Sequence, residues 1–194
     1  MNERLRSQLD FLLEVDKMKT ILRQTILVDK SRRENDAEHS WHFALMAITL
    51  FEYCELEGVN LDRVVRMALV HDLVEIYAGD TFAYDVEGTK DKEARERASA
   101  DKIFSMLPKE QGSEFRLLWE EFDEMKTPDA LYASAIDRFQ PFLNNSATGG
   151  HTWDKYKVSL PQIYERMNPV KIATPKLWDF VDNTIKDFTF HVLP

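Results

Sequence analysis

Val64-Val65-Arg66-Met67-Ala68-Leu69-Val70-His71-Asp72-Leu73-Val74-Glu75 is an apolar run that gathers three ionisable groups at its far end and stops before Gly79. Its residue types predict a helix that is largely buried, and an ionised group in such a place needs partners or a metal. Glu75 follows His71 by four positions and Asp72 by three, so the three side chains are expected on one side of that helix. Gly79-Asp80 adds a further carboxylate where the helix breaks. Asp72, Glu75 and Asp80 together are unfavourable in apolar surroundings unless a cation offsets them.

Outward from this run, Glu38-His39-Ser40 lies about thirty residues upstream and Asp137 sits on a third segment. His39, His71, Asp72 and Asp137 thus offer two imidazoles and two carboxylates, a plausible shell for one divalent metal ion. Asp36 is expected to cap the helix that carries His39, which runs through Trp41, Leu45, Ile48 and Phe51 to Gly58. His39 then falls in the first turn, at the mouth of a core helix. Asn60 or Leu61 opens the helix of the His-Asp doublet. Thr127-Pro128 is a start signal, threonine as cap and proline in the first turn, for a helix in which Asp137 is a charge among Ala135, Ile136, Phe139 and Phe142.

The remaining chain reads as helix nearly throughout, with little strand-like alternation, so the fold class is all-α. A first helix or helix pair carries Leu5 to Leu22 and gives way to a polar loop at residues 29–35. Residues 80–90 form an acidic and aromatic loop beside the doublet helix, placed either to close over a ligand or simply to connect. An Ala- and charge-rich helix ends at Pro108. Phe115, Leu118, Trp119, Phe122 and Met125 recur at helical spacing and are expected in the core. Residues 144–150 read as a loop, and helices around 156–167 and 175–190 are separated at Asn168-Pro169. His191 is expected to be structural or solvent-facing.

A chain of 194 residues, 44% hydrophobic and without internal repeats, suggests one domain over residues 1–194, its C-terminal helices packed on the rest. The polar first residues do not read as a secretory signal, and no stretch is long and apolar enough to cross a bilayer, so the expectation is a soluble, cytoplasmic protein without a membrane partner. Cys54 is the only cysteine and reads as structural, in a helix. A net charge of -9 argues against a nucleic-acid polymer as partner but not against a small anion. Lys17, Lys19, Arg23, Lys30, Arg32 and Arg33 cluster before the first histidine. Most are expected to be solvated, yet a metal site beside a cationic patch suits a phosphate monoester.

With Glu38-His39, His71-Asp72, Glu75, Asp80 and Asp137 in this order, the chain resembles the HD-domain metal-dependent phosphohydrolases, and among them the bacterial 5'-deoxynucleotidases and related HD-domain-containing hydrolases. The likeness spans about Leu9 to Phe142, and the run from Arg32 to Trp41 is its most specific piece. The resemblance implies that His39, His71, Asp72 and Asp137 are the metal ligands, that Glu75 is the acid/base glutamate, and that Asp80 binds substrate or handles a proton. It carries Arg23 over as the phosphate-binding arginine. Where the nucleotidase pattern has Arg-Trp, this chain has Arg23-Gln24, which leaves the placement of sugar and base open.

The implied activity is divalent-metal-dependent release of phosphate from 2'-deoxyribonucleoside 5'-monophosphates, with Mn, Co, Fe, Ni, Zn or Mg as the ion. The alternatives are an HD hydrolase acting on another phosphorylated metabolite and a nucleotide-binding regulatory module with little turnover. Oxygenase members of the superfamily use extra histidines for a second metal. Here His42 and His151 are the uncommitted ones, and His42 is expected to be hydrogen-bonded or packed. A homodimer is expected as well, because Trp153, Tyr156, Val158, Tyr164, Trp178, Phe180, Phe188 and Phe190 give the C-terminal quarter an excess of interface-forming area, and related nucleotidases are dimers.

Overall fold

The computed structural model describes residues 2–192, with side chains through residue 188, so Phe190 and the His191 side chain lie outside what is described. Helix α1 (Glu3–Val15) starts on Asn2, whose side chain accepts from the Arg4 N–H, and a 3-10 turn over Asp16–Thr20 follows it. Here the chain departs from the helical expectation. Strands β1 (Leu22–Ile26) and β2 (Arg33–Asn35) form a small antiparallel ribbon, Leu22 opposite Asn35 and Ile26 opposite Arg33, with an irregular register between. Arg33 turns its guanidinium back on the carbonyls of Leu22 and Arg23, which ties the two strands beyond their ladder. Arg23 is therefore held on a strand, at a fixed distance from whatever lies above it.

Helix α2 (Asp36–Thr49) is capped by Asn35 and not by Asp36. The Asn35 side chain accepts from the Glu38 N–H at 2.9 Å while the Glu38 carboxylate accepts from the Asn35 N–H at 3.2 Å, a reciprocal capping box. Asp36 is thereby released from capping and turns inward, fully buried. The helix ends at Thr49 instead of Gly58. A 3-10 turn over Phe51–Tyr53 follows, and Cys54 lies beyond it in extended backbone rather than in a helix.

Helix α3 (Leu61–Val70), capped by Asn60, tightens into a 3-10 segment over His71–Val74 and resumes as the single turn α4 (Glu75–Ala78). The doublet thus sits in a constriction of the helix and not in its regular part. Gly79 ends it at φ 76°, a backbone that favours glycine, and swings Asp80 back toward the helix. Helices α5 (Lys92–Phe104) and α6 (Lys109–Glu124) follow and pack on each other, and Thr127 caps α7 (Pro128–Thr148) by accepting from the Ala130 N–H. Residues 144–148, expected as loop, continue α7 past Pro141. The chain then breaks at Gly149 and Gly150, both left-handed, where a side chain on Gly150 would collide with Phe188.

The C-terminal part is α8 (His151–Tyr156), α9 (Leu160–Arg166), α10 (Asn168–Ala173) and α11 (Pro175–Val192). Asn168-Pro169 opens a helix where a break was expected, since proline suits the first turn. Helices α2, α3 and α7 pack on one another, α6 and α10 cover further sides of α7, and the ribbon lies against α7 and α8. Phe43, Val64, Met67, Tyr132 and Ile136 are fully buried where these helices meet, each such side chain contributing about 1.5–3 kcal/mol. The Tyr132 hydroxyl donates to the Ala47 carbonyl at 2.8 Å and fixes α7 on α2. Apart from the ribbon the fold is all-α. No described helix is long and apolar enough to cross a membrane.

Candidate metal centre and its cavity

His39 and Asp137 come from α2 and α7, His71 and Asp72 from the 3-10 constriction after α3, and the packing of these three helices brings all four together. His39, His71 and Asp72 present one ligand atom each within 4.8 Å of one another, all buried. Asp137 Oδ1 lies 2.9 Å from His39 Nε2 and 3.5 Å from His71 Nε2, and Asp72 Oδ1 lies 3.1 Å from His71 Nε2. Donor atoms around one metal with bonds of about 2.1 Å stand about 3 to 3.5 Å apart. The pairs of Asp137 with each histidine and of His71 with Asp72 are near that spacing, while His39 Nε2 stands wider from Asp72 Oδ2, at 3.8 Å.

The hydrogen bonds on the far sides of the two rings say what lies between them. His39 Nδ1 donates to Gln140 Oε1 at 2.9 Å, and His71 Nδ1 donates to the Ala68 carbonyl at 2.9 Å. In the neutral rings both Nε2 atoms are therefore lone pairs, and both are turned on carboxylate oxygens. His71 Nε2 has no hydrogen-bond partner despite being buried. Lone pairs facing carboxylates at such distances repel unless a cation sits among them. A divalent ion fits this donor set, and protons are the substitute when no ion is bound. Burial works against a charged His71, yet Asp72 and Asp137 outweigh it and push its pKa up to about 10. Burial likewise disfavours the Asp137 anion, but His39 and His71 hold its pKa well below the ordinary value.

Gln140, fully buried on α7, holds this arrangement from behind. Its amide also donates to Glu34 Oε1 at 2.7 Å and to His42 Nδ1 at 3.1 Å. His42, as expected, is hydrogen-bonded, and its part is to complete this network. His151 is exposed.

Glu75 and Asp80 do not join the histidines. They form a second group with Asp36, again with one oxygen from each within 4.8 Å. Both oxygens of Asp36 and Glu75 Oε2 are buried without a hydrogen bond. Burial, and after it the charge of Asp72, raises the pKa of Asp36 to about 7 and that of Glu75 well above the usual carboxylate range; Asp80 is also raised, by burial first. Such a group holds on to protons or takes a hard cation. Asp36 was not singled out from the sequence, because it reads there as a helix cap.

Arg23 lies between the two groups. Its Nη1 donates to Asp72 Oδ2 at 2.8 Å and stands 3.5 Å from Asp36 Oδ1, while its Nε is 3.9 Å from Glu34 Oε2. Burial opposes its charge, but Asp72, Asp80, Glu75 and Asp36 keep it protonated. Of the other basic residues of the expected patch, Lys17 pairs with Glu14, Lys19 with Asp16 and Arg32 with Glu38, and Lys30 is exposed.

These groups open on a cavity of about 240 Å³. His71, Asp72, Glu75, Asp80 and Asp137 line one side. The loop at 80–90 contributes Thr81, Phe82, Ala83, Tyr84 and Thr89, so it borders the cavity rather than merely connecting helices. Phe122 and Met125, expected in the core, line it too, and the Phe122 ring lies 4.8 Å from that of His71. Gln24 accepts from the Tyr156 hydroxyl, and the Tyr156 ring lies tilted against that of Phe82 at 4.6 Å, so aromatic rings flank the position after Arg23 even though the position itself is not aromatic. Arg138 and Arg166 face the same space. No sequence signal marked them, since an arginine after Asp137 and another at a helix end read as surface residues.

Residues 15–178 match the HD domain family. Among curated proteins the chain is 30% identical to a 5'-deoxynucleotidase of Homo sapiens, HDDC2, over 73% of this chain and 68% of that one. It is 28% identical to a 5'-deoxynucleotidase of Vibrio vulnificus, VV1113, over 82% of this chain and 87% of that one. Among solved structures it is similar to a predicted metal-dependent phosphohydrolase of Magnetospirillum magnetotacticum, with 45% identity, a TM-score of 0.91, and coverage of 96% of this chain and 93% of that one.

Proposed function

Because this chain belongs to the HD-domain family, we propose that it hydrolyses a phosphate monoester, a 2'-deoxyribonucleoside 5'-monophosphate, with one divalent metal ion held by His39, His71, Asp72 and Asp137. The observation that carries this reading is the pair of imidazole lone pairs turned on carboxylates at the wall of a cavity that also holds guanidinium and aromatic groups. The substrate class follows the 5'-deoxynucleotidases to which the chain is similar. The donor set of two nitrogens and two carboxylates accepts Mn, Co, Fe, Ni, Zn or Mg. When bound, such an ion supplies a lowered pKa for water and offsets charge on the phosphoryl group.

The chain's own residues do the rest. Glu75, whose burial raises its proton affinity, takes the proton of the attacking water as the new P–O bond forms. Arg23, fixed on β1, holds a non-bridging oxygen. Asp80, in its protonated form, gives its proton to the 5' oxygen as the ester P–O bond breaks, and the proton that Glu75 took from water restores it, so the products are the nucleoside and inorganic phosphate. Phe82, Tyr84 and Phe122 exclude water from the reacting groups. A phosphate-release screen over nucleoside mono-, di- and triphosphates with each ion tests the reading. Release confined to deoxynucleoside monophosphates is the expected result. Tight nucleotide binding without release under any ion refutes turnover and leaves a sensing pocket.

Residues 1–194 act as one domain in this reading, in the cytoplasm and as a homodimer. Of the C-terminal aromatics, Trp153 is buried against Phe142 and Phe188 and Tyr164 packs on Trp178, whereas Tyr156 and Phe180 are exposed and support the dimer. Further support is the stripe of Trp41, Leu45 and Ile48 on α2, all exposed at helical spacing. Sedimentation across the micromolar range tests it, and a single species at 22.7 kDa refutes it.

A further inference from the structure

Among the described residues, Arg33 and Arg138 are the half-buried arginines without a carboxylate. Arg23 has Asp72, Arg63 has Glu121, Arg95 has Asp91 and Arg116 has Glu120, whereas Arg33 donates to two backbone carbonyls. Among the described residues, half-buried Arg138 has the Arg166 carbonyl at 3.3 Å and the thioether of Met125 at 3.1 Å, and no described carboxylate lies within 4.0 Å of it. A thioether is a weak acceptor, so most of this charge is uncompensated. Arg166 stands beside it and adds a second positive charge. Among the described residues it pairs with Asp137 Oδ2 at 3.7 Å, the carboxylate whose other oxygen faces His39. Two guanidiniums side by side, both lining the cavity, repel each other until an anion comes between them and the shell.

We propose that Arg138 and Arg166 form a phosphate clamp on the Asp137 side of the cavity, opposite Arg23 on the Asp72 side. The clamp rests on the reading of the cavity as a phosphomonoesterase site and adds to it the charge of the preferred ligand. Arg23 reaches Asp72 at 2.8 Å and Arg166 approaches Asp137 at 3.7 Å, so a phosphate seated at the shell has guanidinium groups on both flanks. A monoester dianion offers three non-bridging oxygens to such a site. A diester offers two, carries one charge less and brings a second substituent against the clamp, so the cavity selects monoesters over diesters.

Titration calorimetry of inorganic phosphate into the metal-loaded protein tests this without any nucleotide. Arg138→Gln and Arg166→Gln are each expected to weaken phosphate about tenfold or more, the usual effect of losing a charge-assisted hydrogen bond, in a folded protein that retains its metal. Arg138→Lys and Arg166→Lys keep the charge without the fork and are expected to recover part of that loss. Dimethyl phosphate is expected to bind weakly and with no dependence on either arginine. Wild-type phosphate affinity in a folded, metal-loaded Arg138→Gln/Arg166→Gln double variant overturns the clamp. If a glutamine variant does not fold, full phosphate affinity in the lysine variants overturns it equally. Arginine-dependent phosphate binding in a protein that releases nothing from deoxynucleotides supports the clamp and removes the substrate reading. Deoxynucleotide turnover with unchanged KM in both glutamine variants does the reverse.

Discussion

Replacing Gln140 separates a residue that only fills space from one that prepares His39 to bind a metal. Its side chain is fully buried and meets three groups: Oε1 accepts from His39 Nδ1 at 2.9 Å, and Nε2 donates to Glu34 Oε1 at 2.7 Å and to His42 Nδ1 at 3.1 Å. Gln140→Leu leaves the His39 N–H without an acceptor and strips Glu34, whose Oε2 already lacks a hydrogen bond. At about 1–3 kcal/mol for each buried group left unpaired, the cost in stability is about 2–6 kcal/mol, a large share of what a domain has. The His39 proton is then free to move to Nε2 and face Asp137, which removes the lone pair that a metal needs. Loss of an outer partner of this kind weakens metal binding about 10–100-fold. Gln140→Glu keeps the acceptor for His39 but sets a carboxylate against Glu34, so it is expected to lose stability while retaining metal affinity. Chelator competition gives the affinities and thermal unfolding the stabilities. A folded Gln140→Leu protein with wild-type metal affinity would refute the orienting role.

How far the sequence disclosed this site depends on the distance over which each signal acts. His71, Asp72 and Glu75 were legible because charge in an apolar run is a local anomaly, and Thr127-Pro128 because capping is local chemistry. The coming together of His39, His71, Asp72 and Asp137 was expected from residue types and family resemblance, and helix packing realises it. Asp36 was hidden because Asn35 and Asp36 are both good caps. The choice falls on Asn35, whose capping box with Glu38 leaves Asp36 free to be buried. The β1–β2 ribbon was hidden because strands of five and three residues, tied partly by the Arg33 side chain, show no alternation long enough to read. Gln140, Arg138 and Arg166 were illegible for a different reason. Their roles arise between helices, and nothing within a window of one helix distinguishes a buried network member from a surface amide, or an unpaired guanidinium from a solvated one.

Other outcomes follow from the same geometry. Glu75→Gln keeps the shape and is expected to lower kcat about 10²–10⁴-fold with metal content intact; near-normal turnover in a folded, loaded variant removes the proton role. Asn35→Ala dismantles the capping box and is expected to cost about 1 kcal/mol by chemical denaturation, with weaker metal binding because α2 starts one turn before His39; an unchanged denaturation midpoint speaks against it. The last concerns pH in the metal-free protein. Burial disfavours the charged His71 ring, but Asp72 and Asp137 prevail and hold its folded pKa at about 10, against 6.5 for the unconstrained ring. The folded state therefore keeps a proton that the unfolded state gives up, so this stabilisation is complete below pH 6.5 and is lost as pH rises toward 10. Asp36, raised by burial from 3.8 to about 7, acts in the same direction between those values, since the unfolded chain ionises first. A metal displaces the His71 proton, so uptake at pH 8 releases protons to the buffer, and loading flattens the alkaline fall in Tm. Calorimetry in buffers of different ionisation enthalpy, with thermal unfolding from pH 6.5 to 10, measures both. A metal-free protein more stable at pH 9.5 than at pH 6.5, or metal uptake without proton release, contradicts the placement of that proton between His71, Asp72 and Asp137.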